Sequence, residues 1–152
     1  MSRSIGIDEE GAIQLNGLRV EDDEIGQELL SNIQRLEKDR FITTWDGENV
    51  LVEPFDEPLV VKHVSREGDQ FKALGPYGFE RGFSLESLCL DEWDRFHGLT
   101  DGETEPVDRR ISFVFSRQAQ MEFFDIVDEF DDESVTVGDE RFDIPPFFIE
   151  NP

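Results

Sequence analysis

The chain of 152 residues carries 37 acidic against 14 basic side chains, a formal charge of -23, together with 37% apolar residues and 14 Phe. A field of that sign repels nucleic acid and anionic lipid, and so many aromatics do not fit a disordered acidic tail, so direct nucleic-acid binding, membrane binding and disorder are excluded. The lone Cys89 leaves no internal disulfide, no run reaches the ~18 apolar residues of a membrane helix, and no basic region with an apolar core opens the chain, so a cytoplasmic location is expected.

The opening "IGIDEEGAIQLNGLRVEDDE" predicts short strands with turns at Glu10-Gly11 and Asn16-Gly17. Asp22 or Asp23 then caps a helix expected from about Glu24 to Lys38, with Ile25, Leu29, Leu30, Ile33 and Leu36 on one face and Arg35 and Lys38 near its end, where cations suit the helix dipole. "FITTW", "NVLVEPF", "LVVKHV" and "QFKAL", separated by Asp-Gly, Asp-Glu-Pro and Arg-Glu-Gly-Asp turns, predict an antiparallel meander, which "GPYGFERGFSLESLCL" continues. "DEWDRFHG" reads as a short helix capped by Asp91 and stopped at Gly98, and the stretch to Asp108 as a long loop. "RISFVF" is a strand, Ser116 caps a second helix running to about Phe130, and "SVTV", Gly138-Asp139 and "RFDI" close the chain as a hairpin before Pro145-Pro146. The fold class is α+β: antiparallel sheet with two main helices packed on it. Two α+β halves are expected, 1–74 and 75–152, either as units or merged in one compact domain.

Signatures of chemistry are missing. No nucleophile elbow, phosphate-binding loop, dinucleotide fingerprint, His-Glu-x-x-His or paired Cys-x-x-Cys occurs, so neither catalytic residue, cofactor nor metal is assigned and an enzyme is not expected. His63 and His97 are too few for a metal case, a Cys89–His97 nucleophile pair requires spatial adjacency, and Asp101, Glu103, Glu105 and Asp108 lack the order of a calcium loop.

The second helix holds the chain's main anomaly. On a period of 3.6, Ala119, Phe123, Ile126, Val127 and Phe130 share the core face, while Glu122, Asp125, Asp128, Glu129 and Asp132 lie opposite, with Asp131 and Glu133 following. Arg117 in the first turn and acids crowding the last oppose the dipole at roughly 0.3–1 kcal/mol each, and Asp125 with Glu129 and Asp128 with Asp132 are like-charge pairs at i,i+4. Local rules broken without compensation point to function. The seven carboxylates Glu122, Asp125, Asp128, Glu129, Asp131, Asp132 and Glu133 are therefore the candidate site for a basic partner surface, in one form a nucleic-acid-binding protein engaged by mimicry of phosphates. Two alternatives stand beside it. The acidity is only a solubility feature of a salt-adapted organism, consistent with three Lys among the cations, or a small ligand or substrate binds near Tyr77, Phe79, Trp93 and His97.

The amino-terminal half, "IDEEGAIQLNGLRVEDDEIGQELLSNIQ" followed by "RFITTWDGENVLVEPFDEPLVVKHV", resembles the bacterial family called domain of unknown function 1285. There a strand, a Gly turn, a helix and further strands lead to a Val-x-Val-Glu-Asp-x-Pro-Phe segment, in whose places stand Val50, Val52, Glu53, Asp56, Pro58 and Val60. The resemblance implies a two-part α+β fold and carries over neither an activity nor a catalytic residue.

Overall fold

The computed structural model describes residues 4–37 and 39–145. The first sheet holds β1 (Ser4–Ile7), β2 (Ile13–Leu15), β3 (Leu18–Arg19), β4 (Gln34–Glu37), β5 (Arg40–Trp45) and β6 (Glu48–Pro54) in the order β3-β2-β1-β6-β5-β4. Its hairpins follow their turn residues. Asn16 and Gly17 adopt φ of 54° and 80°, and Asp46 and Gly47 53° and 78°, the left-handed pairs that match the twist of two-residue hairpins. Alternation sets the buried face: Ile5, Ile7, Phe41, Thr43, Val50 and Val52 point inward against Leu29 and Leu30 of helix α1 (Asp23–Ser31).

The rest of the chain adds three smaller sheets. β7 (Leu59–Val61) and β8 (His63–Glu67) follow directly, and β8 pairs with β9 (Gln70–Leu74), which pairs with β10 (Glu80–Phe83). β11 (Cys89–Leu90), β12 (Phe96–Leu99) and β13 (Ser112–Phe115) join β7 in the order β11-β12-β13-β7. Helix α2 (Arg117–Ile126) leads to β14 (Glu129–Phe130), β15 (Ser134–Val137) and β16 (Glu140–Asp143), whose hairpin turns at Gly138. Pairing is antiparallel except at two places, β1 with β6 and β7 with β13, so the expected meander is corrected to a mixed arrangement. β7, from the amino-terminal half, thus lies in one sheet with strands of the carboxy-terminal half, and one apolar core runs through both. Phe71, Phe83, Phe113, Phe115, Phe96 and Phe123 form its aromatic chain, with ring centroids 5.2–6.0 Å apart.

Three expected elements differ. Asn32 ends α1 seven residues early, because Arg35 and Leu36 enter a strand paired with β5 and Arg35 N–H donates to Asp108 O at 2.8 Å; Leu36 is consequently half-exposed, and Lys38 lies outside the described residues. The segment "DEWDRFHG" does not make a helix. Asp91 Oδ1 caps Trp93 N–H (2.8 Å) and Arg95 N–H (2.9 Å) as a helix cap would, but Asp94 turns to φ 60° and returns the chain as β12, burying Phe96 in the aromatic chain. Ser116 caps α2 as expected, its Oγ accepting from Ala119 N–H at 3.1 Å, yet the helix ends at Ile126. Phe130, placed in the core by periodicity, is 55% exposed on β14.

Candidate functional site

The shortened helix redistributes the seven carboxylates. Glu122, on α2, accepts from His63 Nδ1 (3.0 Å), Gln118 Nε2 (3.1 Å) and Val64 N–H (3.1 Å), tying the helix to β8; the hydrogen bond from His63 leads the causes that hold its pKa below the ordinary value. Asp128 accepts from Gly138 N–H (2.6 Å) and Arg66 Nη1 (3.1 Å), which lower its pKa in that order. The same Arg66 Nη1 donates to Ile126 O at 2.7 Å. The cation missing from the helix's own last turn is therefore supplied by a strand, and Asp128 fixes it there. Asp131 Oδ1 takes Glu133 N–H (2.9 Å), Ser134 Oγ (3.0 Å) and Ser134 N–H (2.8 Å), shaping the turn into β15, and its pKa is likewise lowered. The remaining four, Asp125, Glu129, Asp132 and Glu133, are exposed and meet no cation or donor among the described residues. The i,i+4 repulsions expected at Asp125/Glu129 and Asp128/Asp132 vanish as helical terms, since only Asp125 remains on α2.

The four residues of the small-ligand alternative separate. Phe79 is buried in the core, and Tyr77 is a structural clasp: its hydroxyl donates to Val20 O (2.7 Å) and accepts from Ile13 N–H (2.9 Å), while its ring fills the space over Gly26 of α1. Trp93 and His97, by contrast, line a common recess of about 240 Å³ with Asp56, Glu57 and Arg95. His97 Nε2 lies 2.8 Å from Asp91 Oδ2 and its Nδ1 3.0 Å from Glu57 Oε2. Carboxylates only accept, so both ring nitrogens donate and the ring is an imidazolium. Burial opposes that charge, but the hydrogen bonds that His97 donates to Glu57 and Asp91, with the charges of the two carboxylates, outweigh it and raise the pKa. On Asp91 burial is likewise outweighed, here by the N–H groups of Arg95 and Trp93 and by His97, and the pKa falls. Arg95 closes the network with Nε on Asp91 (2.8 Å) and Nη1 on Asp56 (3.0 Å), its guanidinium 5.4 Å from the ring centroid of Trp93.

This network joins the loop before β7 to the turn before β12. Its partners Asp56, Glu57 and Arg95 were not singled out as site residues in the sequence, where only the Asp91/Arg95 spacing of four hinted at a pair; Arg66 offered no local signal at all. Cys89 does stand opposite His97 across β11 and β12, its Sγ 3.9 Å from His97 O, but an imidazolium held by two carboxylates cannot accept the thiol proton. Of the loop acids, Asp108 is bound by Arg110 at 2.9 Å, and among the described residues no group of three or more His, Cys, Asp or Glu is placed to hold a metal ion.

The fold, a six-stranded sheet with α1 against it followed by three smaller sheets and α2, has counterparts among solved structures. A DUF1285 family protein from Shewanella baltica OS155 superposes with a TM-score of 0.65 at 15% identity, covering 81% of this chain and 91% of that one. This chain has the DUF1285 fold. A second DUF1285 family protein, from Silicibacter pomeroyi DSS-3, covers 99% of this chain and 84% of that one, with a TM-score of 0.62 and 15% identity. The likeness thus extends over most of the chain, beyond the amino-terminal half where the sequence resemblance stopped. No family model matches the sequence, and no curated protein matches it.

Proposed function

We propose that the protein is a non-enzymatic interaction protein, whose acidic face at the end of α2 and on β14 and its turn binds a basic protein surface. The observation supporting this is the division of labour within one short segment: Glu122, Asp128 and Asp131 build the fold, whereas Asp125, Glu129, Asp132 and Glu133 are exposed without a partner among the described residues. Unpaired carboxylates on a molecule of charge -23 steer a cationic partner and repel its competitors. In the finer form of the proposal the partner is a nucleic-acid-binding protein, and duplex DNA then competes for it.

The test is retention of basic proteins by the immobilised chain at about 0.1 M salt and release at about 0.5 M, as screening shortens from roughly 10 Å to about 4–5 Å. Exchanging Asp125, Glu129, Asp132 and Glu133 for Asn or Gln is expected to abolish retention; unchanged retention overturns the proposal. The small-ligand alternative at Trp93 has less behind it, because that recess, at about 240 Å³, falls short of the ~300–1,000 Å³ of ligand pockets and its charged groups already bind one another.

A further inference from the structure

Between α2, the turn before β12 and the last hairpin runs a groove of about 370 Å³, floored by Leu90, Phe96, Phe124 and Ile144. Phe130 stands at its lip, its ring 4.4 Å from that of Phe124 yet 55% exposed. The groove is built in advance of any occupant. Gln120 of α2 holds the opposite wall, donating through Nε2 to Asp94 O (2.8 Å) and accepting through Oε1 from Phe96 N–H (3.2 Å). Its rim is acidic, formed by Asp94, Asp131 and Asp132.

We infer that this groove seats an apolar side chain from a basic amphipathic segment of the partner protein, with Leu, Phe or Met packed on Phe124 and Phe130 and flanking Lys or Arg facing Asp132 and Asp94. The inference rests on the proposed basic partner and specifies its chemistry: apolar anchors at helical spacing, with cations on either side. Charge complementarity selects this occupant. A second copy of the chain brings another -23 and the same acidic rim, and the headgroup of a fatty acid meets the same repulsion. A neutral apolar segment buries the rim carboxylates without giving them a partner. A basic amphipathic segment satisfies floor and rim together.

Two labelled peptides of equal charge separate the outcomes: a Lys/Leu amphipathic helix, and its counterpart with every Leu replaced by Ser, titrated by fluorescence anisotropy against the full chain. The Leu peptide is expected to bind more tightly by about tenfold or more, the scale of one buried Leu side chain. Phe130→Ser is expected to erase that preference while leaving the Ser peptide's affinity within about twofold, and Phe130→Leu to restore most of it; this variant pair also controls for loss of fold. Equal affinity for the two peptides overturns the groove while leaving the basic-partner proposal standing. A preference that survives Phe130→Ser likewise overturns it, and so does sedimentation as a dimer that Phe130→Ser disperses, since the occupant is then a second copy. Binding of neither peptide sinks the basic-partner proposal and this inference together.

Discussion

Asp91 accepts four hydrogen bonds at 5% exposure, from Trp93 N–H, Arg95 N–H, Arg95 Nε and His97 Nε2, and through them holds both cations of the network. Asp91→Asn keeps the shape and removes the charge, so it is expected to cost about 3 kcal/mol, measured by denaturant unfolding. His97 gives the network a pH dependence of defined sign. Its folded pKa is raised above 6.5, so its contribution is complete below that value and fades as pH rises through the raised one; Asp91, lowered from 3.8, contributes above that value and fails only in stronger acid. The stability gap between the natural chain and His97→Gln is therefore expected to be widest near about pH 5–6 and to shrink toward about pH 9; a gap that widens with pH contradicts the assignment. The acidic segment yields a second contrast. Asp128→Asn removes the charge that faces Arg66 and one of the two acceptor oxygens serving Arg66 and Gly138, and is expected to lower the melting temperature, whereas Asp132→Asn, on a side chain without an internal partner among the described residues, is expected to leave it unchanged or raise it slightly. Neither difference is legible in the sequence, where both are surface aspartates near the end of one predicted helix.

The helix starts were legible and the helix ends were not. Asp22 caps Glu24 and Ile25, and Ser116 caps Ala119, because a cap is a contact between neighbours in the chain. The ends are decided by distant partners: pairing with β5 takes residues after Asn32 into a strand, and Arg66 on β8 seizes the carbonyl of Ile126. Apolar periodicity runs past both ends and cannot register these competitors. Gly26 in α1 shows the same conflict in miniature. Helix propensity favours Ala there by about 1 kcal/mol, but a Cβ at that position overlaps the Tyr77 ring, so Gly26→Ala is expected to destabilise the protein instead. Tyr77→Phe, which leaves Ile13 N–H and Val20 O without the hydroxyl, is expected to cost about 1–3 kcal/mol, and the same thermal melts check both variants.

At the scale of the whole molecule, a charge of -23 over one continuous core means self-repulsion that salt screens. The melting temperature is expected to rise between about 0.05 and 0.5 M NaCl while binding of basic probes weakens; a melting temperature that falls with salt overturns this account. What the sequence determined by itself was the charge, the α+β class, the hairpin turns at Asn16-Gly17 and Asp46-Gly47, and both helix caps, all of them properties of composition or of residues a few positions apart. Only the tertiary structure decided that β1 runs beside β6 and β7 beside β13, that Asp56 and Glu57 meet Arg95 and His97, and that an acidic helix end is closed by Arg66. These join segments about forty to sixty residues apart, and the chain reveals such partners only once the core has brought their strands together.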